Sequence, residues 1–192
     1  MTARLSRRSF LGTAAAGAAL YTTMRAGPAN AATMGGQLQV ALTYEIDTMN
    51  VYSTGYLGDA QATIVEGLLA PNDKAEYVPV LATEVPTLEN GGIELVDGGK
   101  MKITYKLRPG VTWHDGKPFT SADVKFTWEA VKDPNFIAES KDGTEDIESI
   151  DTPDELTVIC NYNTVSPDFA STLFTFGIMP KHALEGTDLN TS

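Results

Sequence analysis

The chain has 192 residues and a formal net charge of -11 at pH 7, from 14 Lys and Arg against 25 Asp and Glu. That acid excess favours solubility and makes nucleic acid and anionic membrane surfaces poor partners. One cysteine rules out an internal disulfide, and with only two histidines beside it the chain is poorly equipped to build a transition-metal cage, so neither a metal nor a cofactor is expected.

The first 31 residues read as an export signal. Arg4, Arg7 and Arg8 make a positive start, a short Ala- and Gly-rich uncharged stretch follows, and Ala29-Asn30-Ala31 offers an A-x-A cleavage site. Ser6-Arg7-Arg8-Ser9-Phe10-Leu11 has the twin-arginine form, the alternative being a Sec signal with two adjacent arginines. The apolar stretch is shorter and less hydrophobic than the roughly 18–20 residues of a membrane span. No cysteine lies near the cleavage site to carry a lipid. Cleavage would remove Arg4, Arg7, Arg8 and Arg25 with no acidic residue, leaving 161 residues at a net charge of -15, enough for one sizeable core.

After Gly35-Gly36, the alternation of Leu38, Val40 and Leu42 with polar or small residues predicts a first strand, followed by a loop from Tyr44 to Tyr52. Asp59 is placed to cap a helix whose apolar face is Ile64, Val65, Leu68 and Leu69, closed by Pro71-Asn72-Asp73. Residues 76–80 read as a short strand and 79–84 as a brief helical turn. Ile93 and Leu95 suit a strand hairpinned to residues 101–107 across Asp97-Gly98-Gly99.

Residues 101–124 carry the densest signals. Met101, Ile103, Tyr105 and Leu107 alternate with Lys102, Thr104, Lys106 and Arg108, the period-two pattern of a half-buried antiparallel strand. Pro109-Gly110 stops it, and Asp115-Gly116 makes a second turn with Val111 and Trp113 pointing to one side. Thr120 is an N-cap with Asp123 at the third helical position, and Phe119 with Val124 suits a hydrophobic staple. Val124, Trp128 and Val131 share a helical face that ends at Asp133-Pro134.

Residues 134–146 are polar and turn-like. Ile147 to Ile150 is a candidate strand facing residues 156–160 across Asp151-Thr152-Pro153-Asp154, with Leu156, Val158 and Cys160 on one face, which makes Cys160 a buried structural thiol. Strands in hairpins with helices set against them give an α+β, or mixed α/β, pattern. Met179-Pro180-Lys181-His182 resembles an element beginning, and the polar residues 186–192 do not read as a domain end, so a fragment is expected.

No P-loop, dinucleotide fingerprint, H-E-x-x-H or G-x-S-x-G occurs. His114 beside Asp115 invites an acid–base reading, but adjacent residues rarely face each other and no nucleophile accompanies them. The chain does not read as an enzyme.

The run Leu107-Arg108-Pro109-Gly110-Val111-Thr112-Trp113-His114-Asp115-Gly116-Lys117-Pro118-Phe119-Thr120-Ser121-Ala122-Asp123-Val124 resembles, nearly residue for residue, a motif of the bacterial extracellular solute-binding proteins, family 5, the peptide, dipeptide and nickel receptors of ABC transporters. Gly35-Gly36-Gln37-Leu38, Val65-Glu66-Gly67-Leu68, Val78-Pro79-Val80-Leu81-Ala82 and Met179-Pro180-Lys181-His182 resemble the family's mature start, first helix, P-x-L-A turn and P-K-H segment, in order.

The resemblance implies the N-terminal part of a periplasmic-binding-protein-like class II fold, with the start of the domain I sheet followed by a small inserted antiparallel domain. Residues 35–69 would begin the first lobe, 70–175 form the small domain, and 176–192 start the return. It implies a periplasmic receptor, monomeric at full length, that captures a small solute, above all a peptide, between two lobes and delivers it to a membrane permease. An oligosaccharide, an opine-like compound or a chelated metal is the alternative ligand. Within the motif, Leu107, Arg108, Gly110, Val111, Trp113, His114, Asp115, Gly116, Phe119, Thr120, Ala122, Asp123 and Val124 are implied as structural. Ligand contact is implied for the loop after the first strand. There Glu45 and Asp47 would receive an ammonium, and Tyr44 and Tyr52 would line an amphipathic pocket.

Overall fold

The computed structural model of the chain describes residues 50–53, 63–171 and 173–191. The export signal, the strand at residues 38–42, the cap Asp59, and Tyr44, Glu45 and Asp47 all lie outside the described residues.

A four-stranded antiparallel sheet organises the described chain. Two short strands, β1 (Leu69–Pro71) and β2 (Tyr77–Pro79), pair with each other, while β3 (Ile93–Val96), β4 (Lys100–Lys106), β5 (Ile147–Asp154) and β6 (Thr157–Tyr162) form a sheet of order β3-β4-β6-β5. The β3/β4 hairpin turns where Gly98 and Gly99 both have positive φ, 85° and 76°, a conformation open to glycine without strain. The central β4/β6 pair sets Ile103 opposite Cys160 and Tyr105 opposite Val158. Alternation along both strands then drives Met101, Ile103 and Tyr105 with Val158, Cys160 and Tyr162 into one core, each at most 3% exposed. Burying side chains of this size is worth about 1.5–3 kcal/mol apiece.

Helix α1 (Ser121–Lys132) covers that face. Val124, Trp128 and Val131 are buried on its inner stripe, and Thr144 accepts a 3.3 Å hydrogen bond from Trp128 Nε1. Lys132 lies 4.4 Å from the centroid of the same indole. Two 3₁₀ turns, Phe169–Ser171 and Leu173–Thr175, and the single-turn α2 (Lys181–Leu184) follow among the described residues.

Three expectations are corrected. Where an apolar helix was expected around Ile64 to Leu69, the described residues enter β1 with no helix, because their backbone is used by distant partners. Leu68 donates to Phe174 at 2.8 Å, and the amides of Val80 and Ala82 both donate to Leu68. The helical turn expected at 79–84 is instead a bend stitched to β4, with Thr83 donating to Lys106 at 2.8 Å. Finally, β5 continues through Pro153 to Asp154, and the chain reverses at Glu155-Leu156. A proline is tolerated there because β5 is an edge strand, and the pairing register shifts between Asp151 and Asp154.

Candidate functional site

The corner after β4 is built from reciprocal backbone bonds. Trp113 donates to Lys117 at 2.8 Å, Phe119 donates to Val111 at 3.0 Å, and Asp115 Oδ1 accepts the Lys117 amide at 3.0 Å, with Gly116 supplying a φ of 83°. Gly110 turns the preceding corner at a φ of 75°. This tight ribbon places Trp113 against Phe119, edge to face, with centroids 5.9 Å apart. Arg108 ties the ribbon to the bend before it. Its amide donates to Leu81, and its guanidinium donates to the carbonyls of Ala82 and Pro79, each at 3.2 Å. Leu107 and Phe119 are buried, whereas His114 and Ala122 are exposed.

Asp123 joins the helix start to the returning chain. Thr120 and Asp123 form a capping box in which Oδ2 accepts the Thr120 amide at 2.9 Å, while Oδ1 accepts the amide of Lys181, also at 2.9 Å. One turn on, Thr127 Oγ1 donates to the Asp123 carbonyl and accepts the Met179 amide at 2.9 Å. Both residues are buried, so each polar group there needs the partner it has. Asp123 was legible as the third helical position behind the Thr120 cap. The partners of Asp123 and Thr127, more than fifty positions away, gave no local signal.

Asp115 has a partner too, though not the adjacent histidine. His182 Nε2 lies 2.8 Å from Asp115 Oδ2, and its ring is 6.3 Å from that of Trp113. The Lys117 amide first and His182 second hold the Asp115 carboxyl below its ordinary value. The pair is partly exposed and carries no nucleophile. Among the described residues no three His, Cys, Asp or Glu side chains converge on a point where a metal ion would sit.

Two hollows adjoin this frame and share Val65 as a wall. One, of about 290 Å³, lies between residues 63–66 and the ribbon at 111–119. The other, of about 220 Å³, is apolar and lies between Asn50-Val51 and the segment Ile178 to Pro180. Of the expected ligand contacts only Tyr52 is described, and it lines neither hollow. It is 3% exposed, and its hydroxyl lies 2.6 Å from the Gly177 carbonyl and 2.9 Å from that of Leu173. Burial pushes its phenol far above the ordinary range, so in the described residues it acts as a core post. Cys160 is likewise buried, with its thiol pushed well up.

Residues 76–191 match the model of the bacterial extracellular solute-binding proteins, family 5 (Middle). A Brucella abortus protein provisionally assigned as an ABC transporter peptide-binding protein is 36% identical over 85 residues, 44% of this chain and 16% of that protein. Among solved structures, NikZ from Campylobacter jejuni in complex with Ni(L-His) superposes with a TM-score of 0.66 at 29% identity, covering 79% of this chain and 29% of NikZ. An oligopeptide-binding protein from Thermus thermophilus complexed with a pentapeptide gives 0.60 at 26% identity, covering 73% of this chain and 26% of that one. The chain therefore spans 16% of its Brucella relative and less than a third of either solved structure. With the Leu107 to Val124 motif folded as one unit, a mixed α/β fold of the periplasmic-binding-protein kind, and the family match running through both, the chain belongs to the bacterial extracellular solute-binding proteins, family 5.

Proposed function

We propose that this chain is part of the substrate-binding component of an ABC importer, a non-enzymatic periplasmic receptor that captures peptides between two lobes and hands them to a membrane permease. The observation that carries the reading is the family match over residues 76–191, which includes the whole motif. The small share of each relative that the chain spans supports a division in which residues 35–69 open the first lobe of a class II fold, 70–175 form the small inserted domain and 176–192 begin the return. Residues 1–31 direct export, by the twin-arginine route, and the full-length receptor is a monomer.

Ligand contact is assigned to the loop that begins at Tyr44, with Glu45 and Asp47 receiving a peptide's ammonium and Tyr44 bordering the pocket, while Tyr52, buried on the Leu173 and Gly177 carbonyls, anchors the loop's far end. The apolar hollow beside Asn50 and Val51, at the end of that loop, supports this placement. A carboxylate there offers a charge-assisted hydrogen bond stronger than a neutral one. The experiment is calorimetric titration of the full reading frame with di- and tripeptides. Binding lost in Asp47→Asn and Glu45→Gln supports the reading, and saturable binding of none of the peptides overturns it.

A second reading is favoured by one observation, the likeness to NikZ holding Ni(L-His). Titration with nickel and histidine together, in the same calorimeter, separates a chelated-metal receptor from a peptide receptor.

A further inference from the structure

Asn90 is followed directly by Gly91, the one Asn-Gly pair in the sequence, in the exposed loop that leads into β3. The loop is built around the Asn90 carboxamide. Its Oδ1 accepts the amides of Thr87 at 2.8 Å and Gly92 at 2.9 Å, and its Nδ2 donates to the Val85 carbonyl at 2.9 Å and to Glu84 Oε2 at 3.0 Å. An asparagine side chain has two accepting and two donating places, so all of them are filled. Gly92 passes so close that a Cβ there would lie 2.9 Å from Asn90 Oδ1. Gly91 is placed differently. It has a φ of 71°, nothing stands within 4 Å of where its Cβ would be, and its amide donates a long bond, 3.4 Å, to the Leu88 carbonyl.

We propose that Asn90-Gly91 is a self-modification site, a deamidation whose reaction the folded loop holds off. The chemistry needs water and no other reagent. The Gly91 nitrogen bonds to Asn90 Cγ and gives up its proton, while the Cγ–Nδ2 bond breaks and Nδ2 leaves as ammonia. Water then opens the cyclic imide at either carbonyl, leaving aspartate or its isomer isoaspartate. Glycine eases the attack, because no side chain shields its nitrogen and its backbone turns freely toward the carboxamide. In the folded loop the bonds to Thr87, Gly92, Val85 and Glu84 pin that carboxamide, so attack waits for local opening of the kind exposed loops undergo. The product does not fit the turn. A carboxylate accepts and does not donate, so the place of Nδ2 would set an anionic oxygen against Glu84 and the Val85 carbonyl. The same loop holds the start of β3, where the Ile93 amide donates to Thr87 at 2.9 Å and the Thr104 amide donates to Gly92 at 2.8 Å. Conversion therefore loosens that edge of the sheet.

The test incubates the full chain at mildly alkaline pH, with and without guanidinium chloride, and follows the tryptic peptide of residues 75–100 by mass spectrometry. Asn90 carries the only amide side chain in that peptide, so a mass gain equal to the exchange of NH₂ for OH reports this site alone. In denaturant, conversion is expected to run several-fold faster at Asn90 than at any other asparagine. Without denaturant it should be several-fold slower. Gly91→Ala is compared in denaturant, where the strain of a side chain at a φ of 71° plays no part, and should slow conversion several-fold. Asn90→Asp installs one of the products and should lower the melting temperature of the folded chain by a few degrees. A peptide that keeps its mass in denaturant overturns the proposal, as do equal rates with and without denaturant. So does a Gly91→Ala rate equal to that of the parent, or an Asn90→Asp melting temperature that does not fall.

Discussion

The carboxylate of Asp123 accepts the Lys181 amide at 2.9 Å with one oxygen and the Thr120 amide at 2.9 Å with the other. One buried side chain thus starts α1 and fixes the point where the returning chain meets it. Hydrogen bonds to a charged acceptor are worth about 1.5–3 kcal/mol each. Asp123→Ala should therefore cost about 3 kcal/mol or more, Asp123→Asn about half of that, and Thr120→Ala about 1 kcal/mol. Urea unfolding with an unchanged m-value measures the differences. Equal midpoints for Asp123→Ala and Thr120→Ala would show that the bond to Lys181 contributes nothing.

Asp115 gives the acid limb of the stability curve a specific contribution. Its carboxyl is held low in the folded state, chiefly by the Lys117 amide and then by His182, so folding favours its charged form. A lowered folded-state value adds stability that is complete above the ordinary carboxylate range and is lost as pH falls through the lowered value. Between neutral pH and roughly pH 3, Asp115→Asn should lose less of its melting temperature than the parent chain does. The effect is small because the group is exposed, so the comparison rests on the difference between the two curves. Parallel curves would show that the pair with His182 does not matter to folding.

Gly67 and Gly110 separate two reasons for glycine. A Cβ on Gly67 would lie 2.4 Å from the Phe174 carbonyl oxygen and 2.8 Å from that of Thr175, both fixed backbone atoms. At Gly110 the space is open and only the φ of 75° resists a side chain. Gly110→Ala should cost about 1 kcal/mol, whereas Gly67→Ala should cost about 3 kcal/mol or more, since the backbone itself must move. Thermal melts of the two variants, run side by side, decide the order.

Cys160 should be silent toward thiol reagents in the folded protein. It is fully buried and burial raises its thiol well above the usual range, so little thiolate exists to react. Disulfide-exchange labelling should proceed only at the rate of unfolding and reach one equivalent in denaturant. Rapid labelling under native conditions would place the thiol at a mobile surface.

The corner from Pro109 to Val124 was legible because each of its signals acts within a few residues: glycine at a positive φ, an Asx-type turn at Asp115, a cap at Thr120. The strand face of Met101, Ile103 and Tyr105 was equally plain from alternation. Around Leu68 the same kind of reasoning failed. A spacing of 64, 65, 68 and 69 fits a helix, but so short an apolar run does not distinguish helix from strand, and the amides and carbonyls of Phe174, Val80 and Ala82 decided it. Long-range partners also explain why Asp115 was read beside His114 and not opposite His182. Within the expected ligand loop, the aromatic character of Tyr52 was visible, but not that its hydroxyl would be turned toward Leu173 and Gly177.

The close passage of Gly67 beneath Phe174 has a kinetic meaning as well as a steric one. Leu68 and Phe174 bond across a separation of roughly a hundred residues, so the contact must await the slow search that high contact order imposes. The hairpins β3/β4 and β5/β6 close over short turns and can precede it. The passage therefore acts as a drawstring. It tightens after the sheet exists and sets the moment at which Val65, Ile178 and Met179 present their shared wall to whatever enters the apolar hollow beside them.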